Sequence, residues 1–503
     1  MSSKELIMYI NGTSRNQLYL FENKLDDIIS AENPVRFIDA YVDKLDLLKL
    51  GFTNPGTDGG KGRPPYNPSM MLKIYIYGYL NRIRSSRKLE AECGRNMELV
   101  WLTCRLTPDF KTIADFRKDN RAGIKKIFSE FLKLCNKLEL LSFRCVAVDG
   151  TKGRAKNHLD NIYRKETLDQ ISTKIQEKIE KYLEELELND RSEEVEYEFL
   201  SKNLTEKLSL LKKSQDKIDI IKQMFEENPE VEIYFAGDSD SRYMKDNNRI
   251  NAGYNCQTAV DEKNKLIIAH DVTNESNDMH QLKSMKNKIS GVKEELGIDN
   301  TTIVVADAGY FEEREIIEAV KDENFDIYVS HPRDSQARKT KVKDKEGKIP
   351  AKGFRKDDFK YDKEREHFEC PMGKVLTREG NGYIEKRTGV RDYKYNCREC
   401  GECDKRSLCT NDKSGRSIKV TEYFCEINEF RDKCTSDLGK RLLEKRKEIV
   451  EHPFGTIKHT WGYRYFMQKG KEKVSSEFSF IAFIYNLKRV LNIVEFEKLI
   501  AAI

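Results

Sequence analysis

The sequence predicts a mixed α/β sheet flanked by helices, preceded by an all-helical N-terminal domain and interrupted by a helical hairpin and a cysteine-rich metal-binding insert. Three observations lead there. Apolar residues recur at helical spacing up to about residue 140. From Phe143 the period shortens to that of strands, and strand and helix patterns then alternate. Five of the 12 cysteines crowd into residues 370–409.

Composition bounds the rest. Of 503 residues, 38% are hydrophobic and 35% charged, so cores can form beneath densely charged surfaces. A chain this long divides into about three domains. The 90 basic and 85 acidic side chains leave a net charge of +5, too balanced to announce or exclude a nucleic-acid partner. No run approaches the roughly 18 apolar residues of a membrane span. The apolar run at 6–10 stands beside Glu5 and is too short for a signal peptide. A soluble cytoplasmic protein is expected. No G-x-x-x-x-G-K phosphate loop occurs, which argues against direct ATP dependence.

Taken in order, residues 1–140 read as helical. Asn33-Pro34 opens an amphipathic segment through Val35, Phe37, Ile38, Tyr41 and Val42; Pro68 opens another through Met71, Leu72, Tyr75, Ile76 and Tyr79. The Gly/Pro-rich loop between them carries Lys61 and Arg63. Two short helical pieces follow Arg82, Arg84, Arg87 and Lys88: one at 89–93, and one after Thr107-Pro108 with Ile113, Phe116 and Arg117. Such short helices with basic ends suit a helix-turn-helix reader of DNA, and suit equally a plain bundle with a solvated basic face.

The first strand pattern ends at Asp149-Gly150. A charged helical hairpin is expected at 164–228, turning near Asn189-Asp190, as an arm or dimer contact. Strands are expected at 254–260, 266–272, 302–306 and 325–329, with helices at 279–296 and 312–320. Residues 333–435 form a polar insert with too little apolar content to fold without metal, and 436–503 return to helix. The expected domains are therefore 1–140, 141–332, 333–435 and 436–503.

Two of these strands end in an aspartate, Asp149 and Asp307, and ligands of open α/β sheets bind at strand ends. Carboxylates on neighbouring strands suit Mg²⁺, which keeps water and phosphate oxygens in its shell. Two such ions about 3.5–4 Å apart can activate a nucleophile and stabilise a leaving oxygen. The third carboxylate is expected on a C-terminal helix, at Glu451, with Glu448 as fallback. Lys458 follows seven residues on, about 10 Å along a continuous helix, although Pro453 threatens that continuity. Lys152, Arg242, Arg249 and Arg446 are further candidates for phosphate contact. Asp238 and Asp240 read as turn residues, and Trp461 reads as core rather than as a base-stacking platform.

Cys370, Cys397, Cys400, Cys403 and Cys409 outnumber the four thiolates of a tetrahedral zinc site. Cys370, Cys397, Cys400 and Cys409 are the favoured set, with Cys403 the uncertain member. An iron–sulfur cluster is the alternative. Reduced, unliganded cysteines are the plain reading.

The ordered set Asp149, Asp307, Glu451 and Lys458 resembles the acidic triad and trailing lysine of bacterial insertion-sequence DDE transposases. The segment from Leu25 to Asn120 (Gly62-Arg63-Pro64-Pro65-Tyr66, Asp115-Phe116-Arg117) resembles their helical N-terminal domain. Gly253-Tyr254-Asn255-Cys256-Gln257 and the tail from Trp461 to Arg489 match one subgroup. An arginine often stands four residues before the glutamate in those enzymes; here that slot holds Lys447, next to Arg446. The resemblance implies an RNase H-like catalytic core, Mg²⁺- or Mn²⁺-dependent cleavage of double-stranded DNA at transposon ends, attack of the freed 3′-hydroxyl on target DNA, and a homodimer or larger assembly on DNA. A purely hydrolytic nuclease and a non-catalytic, transposase-derived regulator are the rival readings.

Overall fold

A computed structural model describes residues 24–53, 65–189, 195–246, 249–332, 354–386 and 389–503. Lys61 and Arg63 lie outside the described residues, as does Asp190 of the expected hairpin turn. Two compact units emerge, Met1–Ile124 with Val490–Ile503, and Lys125–Arg489. Among the described residues no helix is long and apolar enough to cross a membrane.

The first unit is helical where its periodicity demands it. Asn33 caps the helix Pro34–Lys44 by accepting the Val35 N–H at 2.9 Å, and Asn67 caps Pro68–Leu80 through the Ser69 N–H at 2.8 Å. Each cap contributes about 1 kcal/mol, and proline at the first turn costs no hydrogen bond. Pro68–Leu80 is buried nearly all round. Its buried Lys73 is neutralised by Asp39 at 2.6 Å and Asp43 at 2.7 Å. The helices Ser86–Cys93 and Phe110–Asp119 match the two expected pieces. Met97–Leu102 between them was not legible, because six residues show too little periodicity.

The second unit is built on strands β1 (Cys145–Arg154), β2 (Ile162–Arg164), β3 (Ile233–Phe235), β4 (Arg242–Asp246), β5 (Arg249–Asp261), β6 (Ile267–Thr273), β7 (Thr302–Ala306) and β8 (Phe325–Val329). The main sheet runs β4-β5-β1-β7-β8, with β6 also on β5. β1, β4 and β6 are antiparallel to β5, whereas β1, β7 and β8 are mutually parallel. β2 and β3 pair at the foot of the expected hairpin, whose helices span Leu168–Asn189 and Val195–Glu227. The hairpin keeps its own small core of Leu168, Ile218, Ile221 and Phe225.

Two expectations need correction. The first strand does not stop at Asp149-Gly150. β5 is long enough to hold register from Val146↔Asp261 to Arg154↔Gly253, so Asp149 projects from mid-strand. The insert also has an apolar core of its own. Strands β9 (Lys360–Asp362), β10 (His367–Glu369), β11 (Val375–Ile384), β12 (Arg391–Asn396) and β13 (Ser417–Thr421) form one antiparallel sheet over Phe359, Phe368, Leu376, Tyr395, Ile418 and Val420. Its aromatics alternate with charges, which hides the strand period in a polar composition.

Asp238 and Asp240 are structural, as the turn reading has it. The buried Asp238 accepts the Tyr254 hydroxyl at 2.7 Å and the Gly470 N–H at 3.1 Å, while Asp240 accepts the Lys471 N–H at 2.8 Å. This clasp ties β5 to the start of the helix Lys471–Ile493. Asp238→Ala strands the Tyr254 hydroxyl and is expected to cost about 2 kcal/mol, read as a lowered urea midpoint with unchanged slope.

Candidate active site

Asp149 and Asp307 come together because β1 and β7 are parallel neighbours in the register Ala147↔Val305. Two residues further along, Asp149 within β1 stands level with Asp307, the residue just past the end of β7. Asp149 Oδ1 accepts the Gly150 N–H at 2.8 Å, and Oδ2 accepts Arg446 Nη1 at 3.0 Å. Burial pushes the Asp149 carboxyl up to about 6; Arg446 pulls it down and the Asp307 charge adds to the rise. Asp307 Oδ1 accepts the Gly309 N–H at 2.8 Å and so caps the tight turn Ala308–Tyr310.

Tyr310 lies fully buried beneath this pair and donates its hydroxyl to Gln257 Oε1. Burial raises its phenol far above the ordinary value, and the charges of Asp278, Asp149 and Asp307 raise it further. Asp278 was missed in the sequence. It stands five residues past the end of β6 at Thr273, in a polar stretch without periodicity, so the strand-end rule that finds the other two does not reach it. Its Oδ1 accepts Asn255 Nδ2 at 2.6 Å, Gln257 Nε2 at 2.7 Å and Lys152 Nζ at 3.3 Å.

Glu451 rides on the helix Asp437–Phe454, which packs against β1, β7 and β8 through Leu443, Ile449, Val450 and Pro453. Arg446 lies on that packed side and reaches Asp149. Five residues further, a regular helix has turned by about 140°. Glu451 accordingly leaves on another side and is exposed, as is Glu448. Among the described residues, no group of three or more His, Cys, Asp or Glu is arranged to hold a metal ion. The structure therefore brings Asp149 and Asp307 together and leaves Glu451 apart from them.

Pro453 does not break the helix. The chain continues to Phe454 and then widens into a π-helical turn, Gly455–Thr460, in which the Trp461 N–H reaches the Thr456 carbonyl at 2.9 Å. A wider turn accommodates the proline's missing donor and ring, and it ends the regular spacing expected between Glu451 and Lys458. Burial pushes the Cys256 thiol up to about 12 while Lys458 and Lys152 pull it back, which puts both lysines in one neighbourhood. Arg242 donates to the Ser239 and Ser241 carbonyls at 2.7 and 2.8 Å, and Arg249 is exposed at the start of β5. Trp461 is buried beside Tyr463 and Tyr485, with ring centroids 5.6 and 6.5 Å away.

The five insert cysteines line one cavity of about 20 Å³ together with Arg406 and Arg416. Cys370 Sγ accepts the Lys374 N–H at 3.2 Å, and Cys400 Sγ accepts the Arg416 N–H at 3.4 Å. Burial pushes the Cys397 thiol up to about 11, and Cys400 and Cys370 add to it. Cys409 is raised by burial against the pull of Arg416, with Cys400, Cys370 and Cys403 contributing. All five thiols feel one another or share the cavity, and none is in a disulfide.

No curated protein and no solved structure matches the chain. Two family models do: a transposase domain (DUF772) over residues 23–119 and a transposase DDE domain over residues 369–491. The second stretch takes in the cysteines, Arg446, Glu451 and Lys458, whereas Asp149 and Asp307 precede it. One transposase match falls in the helical N-terminal region and the other runs through the helix that delivers Arg446 to the aspartates, so in these two stretches the chain is similar to DDE transposases.

Proposed function

We propose that this protein cleaves DNA at transposon ends and joins the freed 3′-hydroxyls to target DNA, using a divalent cation held by an acidic site on an RNase H-like sheet. The observation that carries the reading is the meeting of Asp149 and Asp307 on adjacent parallel strands. The order β6-β5-β1-β7-β8, antiparallel at one side and parallel at the other, supports the RNase H-like assignment.

Mg²⁺ or Mn²⁺ fits the donors, which are hard carboxylate oxygens, one of them largely buried and in need of a positive partner. When bound, such an ion offsets the negative charge that builds on the reacting phosphodiester. Asp149 and Asp307 would hold it, and Glu451, exposed on the helix that brings Arg446 to Asp149, would be the third carboxylate. Arg446 keeps Asp149 aimed and ionised. Lys458, Lys152, Arg249 and Arg242 meet backbone phosphates, whose counterion release makes binding steeply salt-dependent. Four of Cys370, Cys397, Cys400, Cys403 and Cys409 hold a structural zinc. Assembly on paired ends as a dimer or larger complex, in the bacterial cytoplasm, completes the reading.

The deciding experiment is a strand-transfer assay with end-bearing duplex and plasmid target. Joined products are expected; cut ends that never join would leave only a nuclease. A proton and the cation also compete for Asp149. Below about pH 6 its carboxyl is protonated, so Mn²⁺ affinity, followed by calorimetry, is expected to rise roughly tenfold per pH unit to about 6 and then level off. Asp149→Asn should remove that slope. Stability of the cation-free chain runs the other way. The folded value lies above the ordinary 3.8, so this group's contribution is complete below that value and is lost as the pH rises through about 6.

A further inference from the structure

We infer that Tyr310 is a positioning residue for Asp307, its buried hydroxyl tying the turn that carries this aspartate to β5 across β1. The inference rests on the acidic-site reading above and deepens it. Asp307 needs such a tie. β7 ends at Ala306, and its last rungs are Ala147↔Val305 and Ala306↔Val329, so Asp307 stands outside both ladders. Its place is set by the single turn Ala308–Tyr310. That turn is held by the Gly309 N–H on Asp307 Oδ1 at 2.8 Å and the Tyr310 N–H on the Asp307 carbonyl at 3.2 Å. Hydrogen bonds of a lone 3₁₀ turn are poorly aligned, so its anchorage falls to side chains.

Tyr310, the last residue of the turn, is fully buried and donates its hydroxyl to Gln257 Oε1. The direction of that bond is fixed. Gln257 Nε2 donates to Asp278 Oδ1 at 2.7 Å, and an ionised carboxylate only accepts, so the amide oxygen is left for the phenol. Asp278 is held in turn by Asn255 Nδ2 at 2.6 Å and Lys152 Nζ at 3.3 Å. Strand alternation puts Gln257, Asn255, Lys152 and Gly150 on the face opposite the Asp149 side chain. In the order β5-β1-β7, β1 lies between Gln257 and the turn, and Gly150 keeps that passage open. A Cβ there would stand 2.6 Å from both Gln257 Nε2 and Asp278 Oδ1. One hydrogen-bonded chain therefore crosses the back of β1 and grips the Asp307 turn from behind, while the Asp149 side chain leaves from the front.

The test is Tyr310→Phe, which removes one oxygen and keeps the ring. Mn²⁺ titration of the intact chain by calorimetry, without DNA, is read beside end cleavage over a range of Mn²⁺ concentrations. Mn²⁺ affinity is expected to fall about tenfold, as for other groups that orient a ligand. Cleavage should fall with it at low Mn²⁺ and recover as Mn²⁺ is raised, at an unchanged KM for DNA. A hydroxyl that only stabilises the fold would lower the thermal midpoint and leave both Mn²⁺ readings alone; that result overturns the inference. Should the variant both melt early and bind Mn²⁺ weakly, Gln257→Leu decides. It removes the acceptor of the same bond, so the double variant should bind Mn²⁺ no more weakly than the weaker single one. Losses that add instead overturn the inference. Asp307→Asn run alongside separates the two levels. If it binds Mn²⁺ like the parent, the acidic-site reading itself fails. If it loses Mn²⁺ while Tyr310→Phe keeps the parent's affinity, only the role of Tyr310 falls.

Discussion

Asp307→Asn is expected to lower cleavage by on the order of a thousandfold while leaving DNA affinity within about twofold. The cation's stabilisation of the reacting phosphate amounts to several kcal/mol, and each 1.36 kcal/mol is a factor of ten. The substitution is nearly isosteric, and the amide oxygen can still accept the Gly309 N–H that caps the turn. No candidate phosphate contact is touched, so the slope of log affinity against log salt should match the parent. A further signature accompanies the loss. Because the Asp307 charge helps hold the Asp149 carboxyl up, its removal should lower the Asp149 pKa and shift the pH profile of Mn²⁺ binding toward acid. End cleavage on a labelled duplex, with anisotropy for binding, reads both effects. Parent-level cleavage in this variant would dismiss the acidic site.

The second large effect is expected at Cys397→Ser. The parent should carry one zinc per chain by elemental analysis, and the variant none. Structural zinc contributes about 10–16 kcal/mol to small finger peptides that have no other means of folding. Here the five-stranded sheet keeps Phe368, Leu376, Tyr395 and Ile418 in a core of its own. The expected loss is therefore smaller, several kcal/mol, and confined to the cysteine end. Rapid proteolysis around 397–416 in the variant or after chelation, with the main sheet intact, is the outcome to look for. A parent protein without zinc would dismiss the thiol site, and visible absorbance with bound iron would replace zinc by a cluster.

Much of this architecture can be read from the residues. Ile303 to Ala306 declares itself because parallel strands covered on both faces need apolar runs, and Phe325 to Val329 does so with Asp326 as its one interruption. Asn33, Asn67 and the prolines after them mark helix starts through backbone chemistry that acts locally. The rest depends on neighbours. Gly150-Thr151-Lys152-Gly153 looks like a turn until β5 supplies a long partner. The direction in which Glu451 leaves its helix depends on which side Ile449, Val450 and Pro453 bury. Asp278 is silent for the same reason: its partners Asn255, Gln257 and Lys152 are gathered by the pairing of β1 with β5, far from it in sequence.

β8 ends at Val329, and Lys433, on the helix that brings the chain back from the insert, rests on Tyr328 and donates to the Ile327 carbonyl at 3.2 Å. The polypeptide thus exits and re-enters at one point, just as the helical hairpin does through β2 and β3. The insert also touches the main unit where the Thr421 hydroxyl donates to Glu313. Neither appendage contributes a rung to the main ladder, so a change of length within either leaves the pairing of β1, β5 and β7 in place.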